Sequence, residues 1–377
     1  MYFVQSIPTG LWALKPEMRS ARRNAGRVSP AIRGDKKTKP QAEGGNACYR
    51  AGHTGDRQET MITGFVLAAD PPAPPEGLEG AVYAIGNFDG LHLGHQAVIA
   101  RALEVAKADG APSAILTFEP HPADFFAGRP VAFRLTPPDL KARGCASLGL
   151  SGAVILTFDA ALAAMSAEEF VANILVRRLG ARTVVVGWDF HFGKGRAGSP
   201  VLLLEAGPRY GFAVEVVARV EEAAGESALP VSSTTIRRAL ERGDVAAAAR
   251  GLGRPYAVSG RVVPGQRLGR TLGVPTANLV LPPTNRLAHG IYAARALVNG
   301  RVYPGVASFG VRPTVDNGPP ILEVHLLDFE GDLYGRQLEV ELIERIREER
   351  KFDSLSLLVD EMERDKRRAR VLLDVRT

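Results

Sequence analysis

Near Gly251 the hydrophobic period of this chain changes, and no other feature limits its possible folds so tightly. Before that point, short runs dense in Val, Ile and Leu alternate with helical stretches. Val82–Ile85, Ala114–Phe118, Val154–Phe158, Thr183–Val186 and Ala213–Val217 read as buried strands. Between them, His95–Ala108 carries Val98, Leu103 and Val105 among alanines, and Ala167–Leu179 carries Phe170, Ile174 and Leu175, both at helical spacing. Strand–helix–strand alternation implies right-handed crossovers and a doubly wound parallel sheet. Ligands of such a sheet bind outside the carboxyl ends of its strands, where the strand order switches.

A further helical stretch, Thr235–Leu252, leads to strand-like runs separated by turns: Tyr256–Val263, Ile291–Val298, Arg301–Ser308, Ile321–Asp328 and Gln337–Ile343. Asn299–Gly300 is a two-residue hairpin turn, since both positions tolerate positive φ. Leu338, Val340 and Leu342 alternate with Gln337, Glu339 and Glu341, which predicts a strand with one wet face. The pattern is a small antiparallel β-barrel closed by a final helix over Ser354–Leu373. In that helix Leu355, Leu358, Val359 and Met362 have core spacing, and Lys366–Arg370 read as a solvated face. The fold class is thus α/β, a doubly wound domain over 61–250 followed by a barrel domain over 251–377, with a basic extension over 1–60.

Charge decides what that extension means. Residues 1–60 hold eleven Lys or Arg against five Asp or Glu, a surplus of six, which equals the net charge of +6 for all 377 residues. The body is therefore close to neutral and lacks the basic face that a duplex-binding protein needs. We expect the extension not to fold, and Met61 to be the natural start, with an Arg-rich transit peptide as the rival reading. Two distant cysteines, Cys48 and Cys145, give neither a disulfide framework nor a cysteine zinc site. They suit a reducing compartment, and the expectation is a cytoplasmic protein. No apolar run approaches the ~20 residues of a membrane span.

The sharpest local signal is Gly86-Asn87-Phe88-Asp89-Gly90-Leu91-His92-Leu93-Gly94-His95, placed where the first strand meets the first helix. Glycines let backbone approach a ligand, and a helix N-terminus offers unpaired N–H groups and a positive dipole to phosphate. His92 and His95 can both face that spot and stabilise charge on phosphate oxygens. Two rival readings stand beside this one: histidines that merely cap the helix, and a metal site from His92, His95 and His121. Gly193–Gly198 matches Gly-x-Gly-x-x-Gly literally, but Trp188–Phe192 separate it from its strand, so it reads as a loop beside the nucleotide. In the barrel, the glycine-rich stretch from Gly265 through Gly269 and Gly273 to Pro275 can fold over phosphates. The Thr276 hydroxyl and Asn278 carbonyl are hard oxygen ligands suited to Mg²⁺. Glu323 alternates with Leu322 and Val324 and is expected on the inward or rim face, able to accept a hydroxyl proton.

Together these segments resemble the prokaryotic bifunctional riboflavin kinase/FAD synthetase family. The resemblance rests on the Gly86–His95 motif, Thr117–Pro122, Arg134-Leu135-Thr136 with Lys141, Val186–Gly193 and Val231–Arg237. In the barrel it rests on Gly273–Asn278, Gly310–Thr314, Glu323–Phe329 and Glu349–Phe352. It spans about Gly80 to Arg370. It implies an FMN adenylyltransferase module of nucleotidyltransferase fold followed by a riboflavin kinase barrel. By that resemblance Gly86, Phe88, Asp89, Gly90, His92, Gly94 and His95 meet ATP, with Ser232, Ser233, Thr234 and Arg237 gripping it from the other side. Pro120, His121, Pro122, Asp189 and Phe190 lie near the flavin. Gly269, Gly273, Pro275, Thr276 and Asn278 hold the second ATP, Thr276 and Asn278 its metal, and Glu323 is the base on the riboflavin 5′-hydroxyl. The family often has Arg where this chain has His191, and usually keeps helical the stretch that holds Pro208. The implied substrates and products are ATP, riboflavin, FMN and FAD, with Mg²⁺ as cofactor, no nucleic-acid or membrane partner, and an oligomer possible. The alternatives are a nucleotidyltransferase acting on another phosphorylated acceptor, with the barrel as an accessory, and a nucleic-acid-binding module.

Overall fold

The structure is a computed structural model that describes residues 64–221, 230–265, 274–310 and 320–374. The expected extension over 1–60 lies outside the described residues, as do Gly269, Gly273 and 311–314. Six parallel strands form the first sheet: β1 (Val66–Ala69), β2 (Val82–Ile85), β3 (Ser113–Glu119), β4 (Gly152–Thr157), β5 (Thr183–Gly187) and β6 (Ala213–Val217). Their order is β1-β4-β3-β2-β5-β6, so the winding reverses between β2 and β5. Helices α1 (Leu93–Asp109), α2 (Pro122–Ala127), α3 (Pro138–Ser147), α4 (Ala160–Ala164), α5 (Ala167–Glu169) and α6 (Pro200–Tyr210) belong to this layer. In β2 every residue is buried. Tyr83 and Ile85 join the core on one side of the sheet, Val82 and Ala84 that on the other. That double burial is why the central strands read as continuous apolar runs.

Strand β1 escaped the sequence reading because it is four residues long and lies at the sheet edge with alternate residues exposed. The helix expected over Ala167–Leu179 starts with a capping box, Ser166 with Glu169, and then widens into a π-helical stretch over Phe170–Arg178. The single helix expected over Thr235–Leu252 is two, α7 (Ser233–Glu241) and α8 (Val245–Leu252). Gly243, at φ +78°, breaks it, and Asp244 caps α8 by accepting from Ala247 N–H at 2.8 Å. Pro208 sits inside the last turn of α6, which stays helical.

The second body is a closed six-stranded barrel in the order β10-β11-β8-β7-β12-β9. Its strands are β7 (Tyr256–Val263), β8 (Ala277–Val280), β9 (Gly290–Val298), β10 (Arg301–Gly310), β11 (Ile321–Leu326) and β12 (Gln337–Arg347), followed by helix α9 (Leu355–Leu372). The β9–β10 turn has Asn299 and Gly300 at φ +52° and +78°, as its sequence demands. Strand β8 was missed because its four residues follow directly on a glycine-rich segment that carries no strand period. Leu338, Val340 and Leu342 fill the barrel. Their outward neighbours correct the wet-face expectation: Glu339 and Glu341 are buried, and Glu339 pairs with Arg143 of α3 at 2.9 Å. The first module covers that face.

The two bodies share a core. Ile236 and Leu240 of α7 and Val245 and Leu252 of α8 pack in one cluster with Phe133, Leu135 and the barrel interior. Polar clasps add to it. Arg254 donates to Gly90 O at 3.0 Å, and the Gln96 amide donates to both Leu91 O (2.8 Å) and Leu252 O (2.9 Å). Helix α9 departs from its expected pattern. Leu355 is exposed, Ala369 and Asp365 are the buried positions, and Leu358 and Met362 line a cavity rather than a core. Lys366, assigned to a solvated face, lines the same cavity and pairs with Glu363.

Candidate active sites

Two cavities open where the elements place the singled-out residues. The larger, about 1090 Å³, lies beyond the carboxyl ends of β2 and β5, the point at which the winding reverses. One ligand pocket commonly measures about 300–1,000 Å³, so this one has room for two substrates. Gly86, Phe88, Asp89, His92, Gly94 and His95 line it from the turn after β2. Ser232, Ser233 and Arg237 line it from the start of α7, and His121, Pro122, Asp189 and Phe190 from the far loops. Gly90, Pro120 and Thr234 do not reach the lining.

The turn after β2 is held from within. Phe88 and Leu91 both take left-handed backbone, φ +48° and +45°, and Gly90 lies at +98°. The buried Asp89 carboxylate accepts from Leu135 N–H (2.9 Å), Thr136 N–H (3.0 Å) and the Arg237 guanidinium (2.5 Å). Its work is therefore internal to the turn. Arg237 also donates to Phe133 O, so part of its charge is already matched. Ser233 Oγ donates to Asp89 O at 2.8 Å, while Ser232 caps α7.

His92 caps α1, its Nδ1 accepting from His95 N–H at 3.2 Å. The capping reading and the ligand reading thus describe one side chain. With Nδ1 an acceptor, the ring proton belongs on Nε2, which remains a donor. The His95 ring stacks on that of His92 with centroids 3.6 Å apart, and its enclosed Nδ1 has no hydrogen-bond partner among the described residues. Burial pushes His92 down to about 4, against the pull of Asp89. Burial, with His92, Lys141 and Arg237 nearby, holds His95 well below the usual imidazole range. Both rings are neutral donors at pH 7. Among the described residues no group of three His, Cys, Asp or Glu side chains is arranged to hold a metal ion, and the His92–His95–His121 reading has no such group.

Aromatic rings that sequence reasoning missed wall the other end of this cavity: Phe118, Phe126, Phe158, Phe170 and Trp188. Phe118 and Phe158 sit at the carboxyl ends of β3 and β4, the rim where a doubly wound sheet binds ligands, and that position was the available signal. His121 caps α2. His191 is exposed in the cavity with Nδ1 2.8 Å from Asp189 O. The Gly193–Gly198 loop closes on itself through a Phe192–Gly198 bridge and also lines the cavity.

The smaller cavity, about 290 Å³, lies between the outer face of the barrel and α9. Leu322, Val324 and Leu326 point into the barrel core, so Glu323 and His325 point outward. This corrects the inward or rim placement of Glu323. Thr276, Ser308, Glu323 and His325 line the cavity together with Arg347, with Phe352 of the Glu349–Phe352 segment, and with Leu358 and Met362, which their spacing assigned to a core. In the β-ladders Glu323 stands opposite Ser308 on one side and Asn278 on the other. Asn278 is buried; a Cβ built on Gly265 would sit 2.5 Å from its Nδ2, so the Gly265 backbone just after β7 lies against the amide. His325 Nδ1 meets Pro275 O at 2.9 Å and fixes the approach to Thr276.

A parallel sheet with a phosphate-type turn at its switch point, joined to a closed barrel with a carboxylate–amide–hydroxyl row, defines a two-site nucleotide-using transferase. The FAD synthetase family profile matches residues 75–235, and the riboflavin kinase profile matches residues 252–373. A bifunctional riboflavin kinase/FMN adenylyltransferase of Pseudomonas fluorescens is 45% identical over 297 residues, covering 78% of this chain and 93% of that protein. Its counterpart in Escherichia coli (strain K12) is 41% identical over 293 residues, covering 78% and 92%. A crystal structure described as a macrolide-efflux protein from Streptococcus pneumoniae is 32% identical, with a TM-score of 0.70 over 81% of this chain and 99% of that one. Among the described residues no helix is long and apolar enough to cross a membrane.

This chain belongs to the bifunctional riboflavin kinase/FMN adenylyltransferase family. It phosphorylates riboflavin to FMN and adenylylates FMN to FAD. The open choice between FMN and another phosphorylated acceptor is decided by the flavin-specific match of both modules.

Proposed function

We propose that the kinase reaction occurs in the barrel cavity with Glu323 as base, and adenylyl transfer in the larger cavity with His92 as the principal imidazole donor. The observation that carries the first assignment is that Thr276, Ser308 and Glu323 share the wall of one cavity, with the buried Asn278 next to Glu323 in the ladder just behind that wall. The Glu323 carboxylate takes the proton of the ribityl 5′-hydroxyl as that oxygen bonds to the γ-phosphorus of ATP, and ADP leaves. Val274, Ile291, Val306, Phe352, Leu358 and Met362 supply an apolar wall for the flavin ring. The Thr276 hydroxyl and the Asn278 carbonyl are neutral hard oxygens, a donor pair that fits Mg²⁺ when phosphate oxygens and water complete the shell. Such an ion, when bound, neutralises charge on the β- and γ-phosphates.

In the larger cavity the FMN phosphate, already ionised, attacks the α-phosphorus of ATP and pyrophosphate leaves, so no protein base is needed. The His92 Nε2–H, the α1 N-terminus and the start of α7 supply preorganised donors for the charge that develops. His95 supports the His92 ring from below, and Arg237 acts through Asp89 as much as on phosphate. Asp189 and Phe190 flank the flavin end with His121 and Pro122.

Residues 61–250 and 251–377 are the two catalytic modules in this reading. The near-neutral body suits small-molecule substrates rather than nucleic acid, and the free, buried Cys145 suits a cytoplasmic enzyme. The test is an assay of riboflavin with Mg-ATP and of FMN with Mg-ATP on His92→Ala and Glu323→Gln, resolved by chromatography. If each variant loses one and the same pair of activities while folded, the assignment of two sites fails.

A further inference from the structure

Beneath the strand-to-helix turn lies a charge network of which the reactions above use only one end, Asp89 with Arg237. We propose that Lys141, which does not itself line the cavity but sits behind its wall, is a positioning residue for adenylyl transfer. Its ammonium ties the nucleotide turn to the loop at the flavin end and fixes their relative geometry. The proposal rests on the reading that the ATP triphosphate lies at the Gly86–His95 turn.

Lys141, on α3, is 4% exposed. Its Nζ lies 3.0 Å from Asn87 O, 3.2 Å from Glu119 Oε1 and 3.4 Å from Thr117 Oγ1. Those three acceptors match the three donors of an ammonium, and a buried charge persists only when matched in this way. Asn87 O also accepts from Thr117 Oγ1 at 3.1 Å. It is the carbonyl directly before Phe88, whose left-handed backbone is the kind of strained position that survives only where surroundings impose it. Lys141 and Thr117 are what impose it.

At its other end the ammonium grips Glu119, the residue that leads into Pro120-His121-Pro122. Glu119 in turn accepts from Arg134 Nη2 and Nη1, at 2.5 and 2.9 Å, and Arg134 Nε lies 3.9 Å from Asp89 Oδ1. The chain Asn87–Lys141–Glu119–Arg134–Asp89–Arg237 thus runs from one substrate loop to the other. It carries three cations and two carboxylates, leaving one positive charge under the cavity floor. In a site shielded from water that charge favours a bound polyphosphate. Two further titratable groups face Lys141: His95 from α1 and Cys145 from α3 itself. Burial draws the Lys141 ammonium below the usual lysine range, against the pull of Glu119.

The experiment uses the full chain, with FMN-to-FAD and riboflavin-to-FMN turnover measured on Lys141→Met, Lys141→Arg and His92→Ala. Lys141→Met is expected to lower kcat for FAD formation about 100-fold, the scale of a roughly 1 Å misplacement, with KM for ATP changed far less. FMN formation should stay within about twofold, which shows the chain folded. Lys141→Arg keeps the charge and should recover much of the loss. The parent is expected to lose kcat on the alkaline side as Lys141 gives up its proton, and Lys141→Arg should abolish that fall, because a guanidinium keeps its proton there. Three results would overturn the proposal. One is FAD formation by Lys141→Met within about threefold of the parent while His92→Ala has lost it, which leaves the placement of the triphosphate intact. Another is the same alkaline limb in parent and Lys141→Arg. The third is FAD formation preserved in His92→Ala, which removes the placement of the triphosphate and the proposal with it.

Discussion

Glu323 and Asn278 stand directly opposite each other on the antiparallel pair β11–β8, so their side chains leave the same face of the barrel. Residues paired in this way have Cβ atoms about 4.5–5.5 Å apart, and Ser308 extends the row on the other side. The row brings a carboxylate within reach of the amide assigned to the metal-nucleotide. Positioning and charge neutralisation are most of what in-line phosphoryl transfer requires.

Glu323→Gln keeps the shape of that row and removes the base. We expect FMN formation to fall by about 10²–10⁴-fold, the usual worth of a general base, with FAD formation from supplied FMN unchanged. Asn278→Ala should give the same selectivity, with a weaker dependence of rate on Mg²⁺. Chromatography of both reactions is the check. Equal loss of FAD formation in a folded Glu323→Gln would sink the assignment.

His92→Ala removes the donor above α1 and its cap together. FAD formation should drop by about 10²-fold or more while FMN accumulates from riboflavin. Losing the cap should also cost the first module about 1 kcal/mol, visible as a small fall in its melting temperature. Because His92 is held neutral down to about pH 4, FAD formation by the parent should show no inflection near pH 6.5 from this ring. A bell-shaped profile with a limb at 6.5 that vanishes in His92→Ala would show that the ring titrates there after all.

The sequence made the central strands legible because β2, β3 and β5 are buried on both faces and so carry unbroken apolar runs. It hid β1 and β8, four residues each, where length is too short for a period to register. The turn motif was legible as chemistry, since glycines and two histidines at a strand-to-helix turn suit a phosphate. The division of labour inside it was not. Asp89 looks like a ligand in sequence but holds Leu135, Thr136 and Arg237, all distant along the chain. Glu323 was found through alternation, yet its outward direction depended on which side α9 covers. Glu339 and Glu341 read as solvated for the same reason: one strand's period cannot reveal that another module will bury its polar face.

That burial has a pH signature at Glu341. Desolvation, reinforced by Glu339 and opposed by Arg295 and Arg254, pushes its carboxyl up to about 7. An unfolded glutamate ionises near 4.3, so the folded state holds a proton that the unfolded state releases between these values. The contribution of Glu341 is therefore most favourable below about pH 4.3 and declines as pH rises to 7. By pH 8 it costs on the order of 3 kcal/mol. Glu341→Gln should be clearly more stable than the parent at pH 8 and nearly equal to it at pH 4.5, read by urea denaturation. A stabilisation of the same size at both pH values would refute this account.

Arg347 on β12 and Asp365 on α9 form a buried two-point pair, with Nε–Oδ1 at 3.0 Å and Nη2–Oδ2 at 2.7 Å. Glu361 lies 3.5 Å from the same guanidinium. The pair pins α9 over the small cavity, whose outer wall is Leu358, Met362 and Lys366. Asp365→Asn leaves the Arg347 charge buried with a weaker acceptor, a loss that typically costs about 3–5 kcal/mol when a buried pair is broken. The helix should then hold its place less tightly, raising KM for riboflavin by roughly tenfold through lost preorganisation. KM for FMN in the adenylyl reaction should not move, because no part of α9 lines the larger cavity. Replacing both partners, Arg347→Met with Asp365→Leu, removes the stranded charge and should restore the melting temperature even if the riboflavin KM stays high. Isothermal titration of riboflavin into the three proteins separates the two effects. If Asp365→Asn binds riboflavin as the parent does, α9 is held by Ala369 and Leu373 against Ala293, and the ion pair contributes nothing to the flavin site.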